Sequence, residues 1–180
     1  MALSWTTKRR IMGTIMALTT AAVMVKIYLH RDEISQGNVT PLDYAETKKI
    51  LREAYTSELL PFQIPQEEED LIEKANADPK RQSSTYGEIT IGGADQLLEA
   101  FDLTAKDIFY DLGSGRGQLV LHAALATPAR KSIGIELSRM RHDEAVRAFE
   151  RVTASGALHP KRVELRLADI LQDDWSDATA

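Results

Sequence analysis

Apolar positions change their spacing along the 180-residue chain, and each change marks the border of an element. Ile11 to Leu29 is a nearly continuous apolar run of about 19 residues, broken by Lys26 alone and preceded by Lys8, Arg9 and Arg10. As a helix rising about 1.5 Å per residue, it matches the hydrocarbon thickness of a bilayer. Leu42, Ala45, Ile50, Leu51, Ala54, Tyr55 and Leu59 then recur at near-helical spacing. The preceding Thr40-Pro41-Leu42-Asp43 predicts Thr40 as N-cap and Pro41 as the first helical residue, and Pro61 ends the helix. Pro65 and the acids Glu67 to Asp70 open a short second helix, whose acids read as a solvated start favoured by the helix dipole. Gly92 and Gly93 lead into a third, ADQLLEAFDL, with Leu97, Leu98 and Phe101 on one face.

From residue 108 onward the pattern alternates between strand and helix. Ile108, Phe109 and Tyr110 form a short β-rich run, and Gln118 to Ala126 is apolar nearly all round, as befits a helix beneath a sheet, until Pro128. Ser132 to Glu136 reads as a second strand. Ser138 can cap a helix with Ala145, Ala148, Phe149 and Val152 as its stripe. Val163, Leu165 and Leu167 alternate with Glu164 and Arg166 to make a third strand. Strands alternating with helices predict an α/β fold around a parallel sheet.

Composition removes several chemistries. With no cysteine, disulfides, thiolate metal sites and cysteine nucleophiles are excluded, and the four histidines fall in no metal-binding spacing. The net charge of −5 conceals an asymmetry, because residues 1–31 hold five basic residues and no acid, leaving the remainder at about −10. An acidic body argues against direct nucleic-acid binding.

The candidate chemistry lies between the first strand and the helix after it, in FYDLGSGRGQ. Gly113, Gly115 and Gly117 permit a sharp turn and the approach of a ligand to bare backbone, with Ser114 between them and Gln118 opening a helix whose first N–H groups are unpaired. A dinucleotide fingerprint would read G-x-G-x-x-G. Here the spacing is G-x-G-x-G, and Asp111 stands where it would repel a pyrophosphate. That carboxylate suits a cofactor with a cationic end, and S-adenosylmethionine carries an ammonium and a sulfonium. Glu136, about 25 residues on, falls where a Rossmann-type fold places an acid on ribose hydroxyls. Asp111, Glu136 and Asp169 each close a strand, and the carboxyl ends of parallel strands line the ligand crevice of an open α/β sheet.

DLGSGRG, GIE and LADI together resemble the first three cofactor motifs of the class I S-adenosylmethionine-dependent methyltransferases. With the upstream STYGEIT, the chain from about residue 83 to 175 is similar to the disruptor-of-telomeric-silencing family, non-SET lysine methyltransferases that modify a core histone. The match falls on Tyr86, Gly87, Glu88 and Gln118, with Ile89 intervening before Thr90. The resemblance implies that Asp111, Gly113 and Gln118, with Tyr86 and Glu88, hold the methionine half of the cofactor. It also implies that Glu136 binds the ribose, Asp169 the adenine amine, and Ile170 packs on the adenine ring. It identifies no catalytic base, and implies a protein substrate with an acceptor lysine, histone or not; the alternatives are a membrane-associated methyltransferase for a non-histone protein or a small molecule, and a truncated non-catalytic module that binds S-adenosylmethionine.

The expected architecture is therefore an α/β, Rossmann-like class I methyltransferase fold that stops short of the C-terminal half of the sheet, with an N-terminal hydrophobic helix. Three parts are expected: residues 1–31 as a membrane anchor or targeting segment, 32–82 as a helical connector, and 83–180 as the cofactor-binding domain. Residues 11–29 would contact a membrane and make the protein single-pass, the alternatives being a mitochondrial or nuclear location. The first strand would also be left with an unpaired apolar edge.

Overall fold

A computed structural model of the chain describes residues 39–55, 65–75 and 87–180. In order these form α1 (Tyr44–Ala54), α2 (Gln66–Ala75), α3 (Ile91–Phe101), β1 (Ile108–Leu112), α4 (Gln118–Ala126), β2 (Lys131–Glu136), α5 (Arg139–Ala154), a 3-10 turn (Pro160–Arg162) and β3 (Val163–Leu167). The three strands are parallel and lie in the order β1-β2-β3, with Asp111 opposite Gly134 and Glu136 opposite Leu167. This is the α/β arrangement that the alternating pattern predicts, with three strands among the described residues. The expected N-terminal hydrophobic helix, residues 11–29, lies outside the described residues. Among those described, no helix is long and apolar enough to cross a membrane.

Each strand sorts its side chains by their period of two. Ile108 and Tyr110 share a face with Ile133 and Ile135 in one buried cluster, while Phe109 points the other way to meet Leu98, Leu103, Ala123 and Ala129. Helices α1, α4 and α5 bury a common cluster of Leu51, Ala54, Val120, Leu121, Leu125, Ala148 and Val152. Val120 to Leu125 are all buried, which explains why α4 has no polar face. His122 lies within this stretch, its Nε2 3.4 Å from an Asp95 carboxylate oxygen, and burial holds its pKa below the ordinary histidine value.

Three local expectations are corrected. First, α1 starts at Tyr44, not Pro41, because Asp43 rather than Thr40 is its N-cap: the Asp43 side chain accepts from the Glu46 N–H, and the Leu42 N–H is drawn away to the Leu125 carbonyl. Second, the acids of α2 are not all solvated. The Glu68 carboxylate accepts from the Ser138 hydroxyl and the Met140 N–H, so it caps the start of α5 in the same chain. Third, the outer edge of β1 is not bare. The Tyr110 N–H donates to the Ala180 carbonyl (2.9 Å), the Thr179 N–H donates to the Ile108 carbonyl (3.0 Å), and the Tyr110 hydroxyl donates to Asp177 (2.7 Å).

Candidate functional site

The glycine turn between β1 and α4 lies across the carboxyl end of the sheet. Gly113 and Ser114 both donate their N–H groups to the Ile135 carbonyl (2.8 and 2.9 Å), which presses the turn onto the end of β2. That approach requires a glycine on the strand below. A Cβ at Gly134 would stand 2.7 Å from the Ser114 hydroxyl and 2.8 Å from Val120, so Gly134 is a residue of the site that its place in a strand concealed. Gly117, the N-cap of α4, has a φ of +74°, and a Cβ there would meet that of Ala145 at 2.9 Å. Its conformation and its packing against α5 both call for glycine.

Gly87, Glu88, Asp111, Gly113, Ser114, Gly115 and Gln118 come together around one cleft, with Ile89 and Leu119 completing its wall. Its volume of about 210 Å³ falls below the roughly 300–1,000 Å³ of pockets that enclose a whole ligand. The cleft is therefore too small to enclose a whole nucleoside-bearing cofactor. No donor among the described residues reaches the Asp111 carboxylate, and burial, with the charge of Glu136 in second place, pushes its pKa up to about 6. An acid held in this way favours a cationic partner.

Glu136, Asp169 and Ile170 are not among the residues that line this cleft. Glu136 is buried behind the glycine turn, and its two carboxylate oxygens accept from the N–H groups of Gly115 (2.7 Å) and Ser138 (2.8 Å). It ties the first strand–helix turn to the second. Asp169 folds back on its own turn, accepting from the Leu171 N–H and the Gln172 side chain. Ile170 is exposed, and its carbonyl accepts from the Trp175 indole N–H. Tyr86 lies outside the described residues. Thr90, displaced by Ile89 from the related pattern, is the N-cap of α3, its hydroxyl accepting from the Gly93 N–H at 3.1 Å. Among the described residues no group of histidine and acidic side chains could hold a metal ion.

One contact at this site had no sequence signal. Arg116, inside the glycine turn, reaches back to Glu88, donating from Nε to Oε1 (2.8 Å) and from Nη2 to Oε2 (2.7 Å). Both partners are ordinary surface residue types, and 28 positions separate them. Only the fold brings them together.

A family model for histone methylation protein DOT1 matches residues 73–175 of this chain. Among curated proteins, the chain is 41% identical over 58 residues to a Caenorhabditis elegans histone-lysine N-methyltransferase specific for H3 lysine-79, which is 32% of this chain and 6% of that protein. It is 30% identical over 84 residues to a protein-lysine N-methyltransferase of Saccharolobus islandicus, 47% of this chain and 49% of that protein. To a Drosophila melanogaster H3 lysine-79-specific enzyme it is 43% identical over 51 residues, 28% of this chain and 3% of that protein. The chain thus spans about half the length of one of these relatives and a small part of the other two. A solved structure of an RNA methyltransferase from Salinibacter ruber in complex with S-adenosyl-L-homocysteine is similar with a TM-score of 0.45 and 31% identity. That similarity covers 52% of this chain and 57% of the other.

Proposed function

Since the chain belongs to the histone methylation protein DOT1 family, we propose that it binds S-adenosylmethionine at the carboxyl ends of β1 to β3 and takes part in methylating a protein lysine. The observation that carries this reading is the Asp111 carboxylate, set in the cleft of the glycine turn with its pKa pushed up to about 6. A half-buried acid beside a second acid is electrostatically incomplete, and a bound ammonium completes it. Pyrophosphate cofactors would make the same site worse. The lysine acceptor is supported by the C. elegans, D. melanogaster and S. islandicus proteins, whose names all specify lysine methylation.

In this reading Asp111 neutralises the ammonium, and the backbone at Gly113 and the Gln118 side chain hold the rest of the methionine half. Tyr86 and Glu88 close that half from upstream. Glu136, still able to accept through the free lone pairs of its carboxylate, takes the ribose hydroxyls, while Asp169 and Ile170 receive the adenine. When bound, the cofactor supplies an electrophilic methyl group on a sulfonium. The chain's own part is alignment and the exclusion of water. An apolar approach also lowers the pKa of an incoming lysine, so that it can arrive as a neutral amine.

The test is a calorimetric titration of the full chain with S-adenosylmethionine, with NAD as the control ligand. Saturable binding of the first and none of the second is the expected result. Absence of S-adenosylmethionine binding, or equal binding of NAD, would sink the assignment.

A further inference from the structure

We propose that Arg116 is a positioning residue: its guanidinium clasps residues 87–90 onto the glycine turn and so holds one wall of the cofactor cleft in place. The affinity consequence rests on the cofactor reading given above, whereas the clasp itself does not.

Glu88 lines the cleft, yet both its carboxylate oxygens are turned to Arg116 in a fork-to-fork pair of 2.8 and 2.7 Å. This is the geometry in which arginine and a carboxylate bind most directionally. The two side chains are only 15% and 26% exposed, so the pair is more shielded than an ordinary surface ion pair. Arg116 is itself anchored from behind. The Tyr55 hydroxyl donates to the Arg116 carbonyl at 2.9 Å, and the guanidinium lies 5.3 Å above the Tyr55 ring. One residue of the turn therefore joins the end of α1, the turn itself and the segment upstream.

Two consequences follow from that placement. Because Thr90 caps α3, fixing Glu88 also fixes where α3 begins. Because Arg116 neutralises Glu88, Asp111 is left as the cleft acid that answers a cation. Glu88 thus shapes the cleft and leaves direct neutralisation of the cofactor to Asp111.

The experiment compares the full-length wild type with Arg116→Ala, Glu88→Ala, the double variant, and the exchanged pair Arg116→Glu with Glu88→Arg. Two readings are taken: calorimetric affinity for S-adenosylmethionine, and amide hydrogen exchange without ligand. Each single variant is expected to bind about tenfold more weakly, the double variant no more weakly than either single, and the exchanged pair close to wild type, since contacting residues couple in such a cycle. Exchange at residues 93–97, the first hydrogen-bonded amides of α3, should rise in Arg116→Ala while β1 to β3 stay protected. Additive losses, or wild-type or tighter binding by Arg116→Ala, would overturn the proposal, because Glu88 would then serve the ligand directly. If the wild type binds no S-adenosylmethionine, the cofactor reading fails and exchange alone decides the clasp, with unchanged protection at 93–97 overturning it. Should Arg116→Ala not fold, Arg116→Lys keeps the charge without the fork and is expected to show an intermediate loss and an intermediate rise in exchange.

Discussion

Asp111 has a folded-state pKa of about 6, above the ordinary 3.8, so the native protein binds its proton more tightly than the unfolded chain does. The sign follows by linkage: without ligand, this group lowers stability progressively as pH rises from about 4 through about 6, and the cost is fully present above that. Each pH unit across that interval adds roughly 1.4 kcal/mol, which brings the whole cost to the order of 3 kcal/mol. Asp111→Asn should therefore raise the urea midpoint of the ligand-free chain at pH 7.5 while abolishing most affinity for S-adenosylmethionine. Wild-type affinity should fall about tenfold per pH unit below 6, as the carboxylate the ammonium needs becomes protonated. A flat affinity between pH 5 and 7.5, or an Asn variant that binds as well as wild type, would remove Asp111 from the site. At this scale Asp111 and the glycine turn were legible, because strand, acid and glycines are neighbours in sequence. Gly134 and the Arg116–Glu88 pair were not. Each is explained by a distant atom: the Ser114 hydroxyl that a Cβ at 134 would strike, and a carboxylate 28 positions upstream.

Among the elements, α4 shows how a helix with no polar face is finished. Pro128 has no N–H to offer the Ala124 carbonyl, so that acceptor would be buried without a partner. Arg162 supplies one. Its guanidinium is buried and donates to the carbonyls of Ala124 (2.6 Å), Thr127 (2.9 Å) and Ala129 (2.7 Å), while the Leu125 carbonyl takes the Leu42 N–H. Burial lowers the Arg162 pKa to about 10, and the carbonyl end of the helix dipole compensates the charge. Replacing Arg162 with Met leaves these carbonyls dry and unpaired and is expected to cost about 3–5 kcal/mol. The measurement is a lowered urea midpoint at unchanged slope, and an unmoved midpoint would refute the capping role. Pro128 was legible as a stop, but the residue that replaces its missing donor lies 38 positions from Ala124. The start of α1 has the same cause. Thr40 and Asp43 are both capable N-caps by type, and what selects Asp43 is the Leu42 N–H, which turns out of the helix to α4. Local pattern identifies the elements, and contacts between them choose their ends.

For the molecule as a whole, charge is the property that acts beyond contact distance. Outside residues 1–31 the chain carries a net charge of about −10, and such a field attracts cations and repels polyanions over roughly a Debye length, about 8 Å at physiological salt. A lysine-rich segment would be drawn in by this field, and duplex DNA would be repelled. The expected outcome is that a lysine-rich histone peptide binds the full chain with an affinity that falls several-fold between 50 and 200 mM salt. A DNA duplex should show no saturable binding under the same conditions. Fluorescence anisotropy of labelled peptide and labelled duplex measures both, and because it reads association instead of turnover, it holds for a chain that spans only part of its relatives. Salt-independent peptide binding would mean that recognition is made by short-range contacts and not by the acidic body. Tight DNA binding would mean that the basic residues before Asp32 outweigh the acidic remainder of the chain.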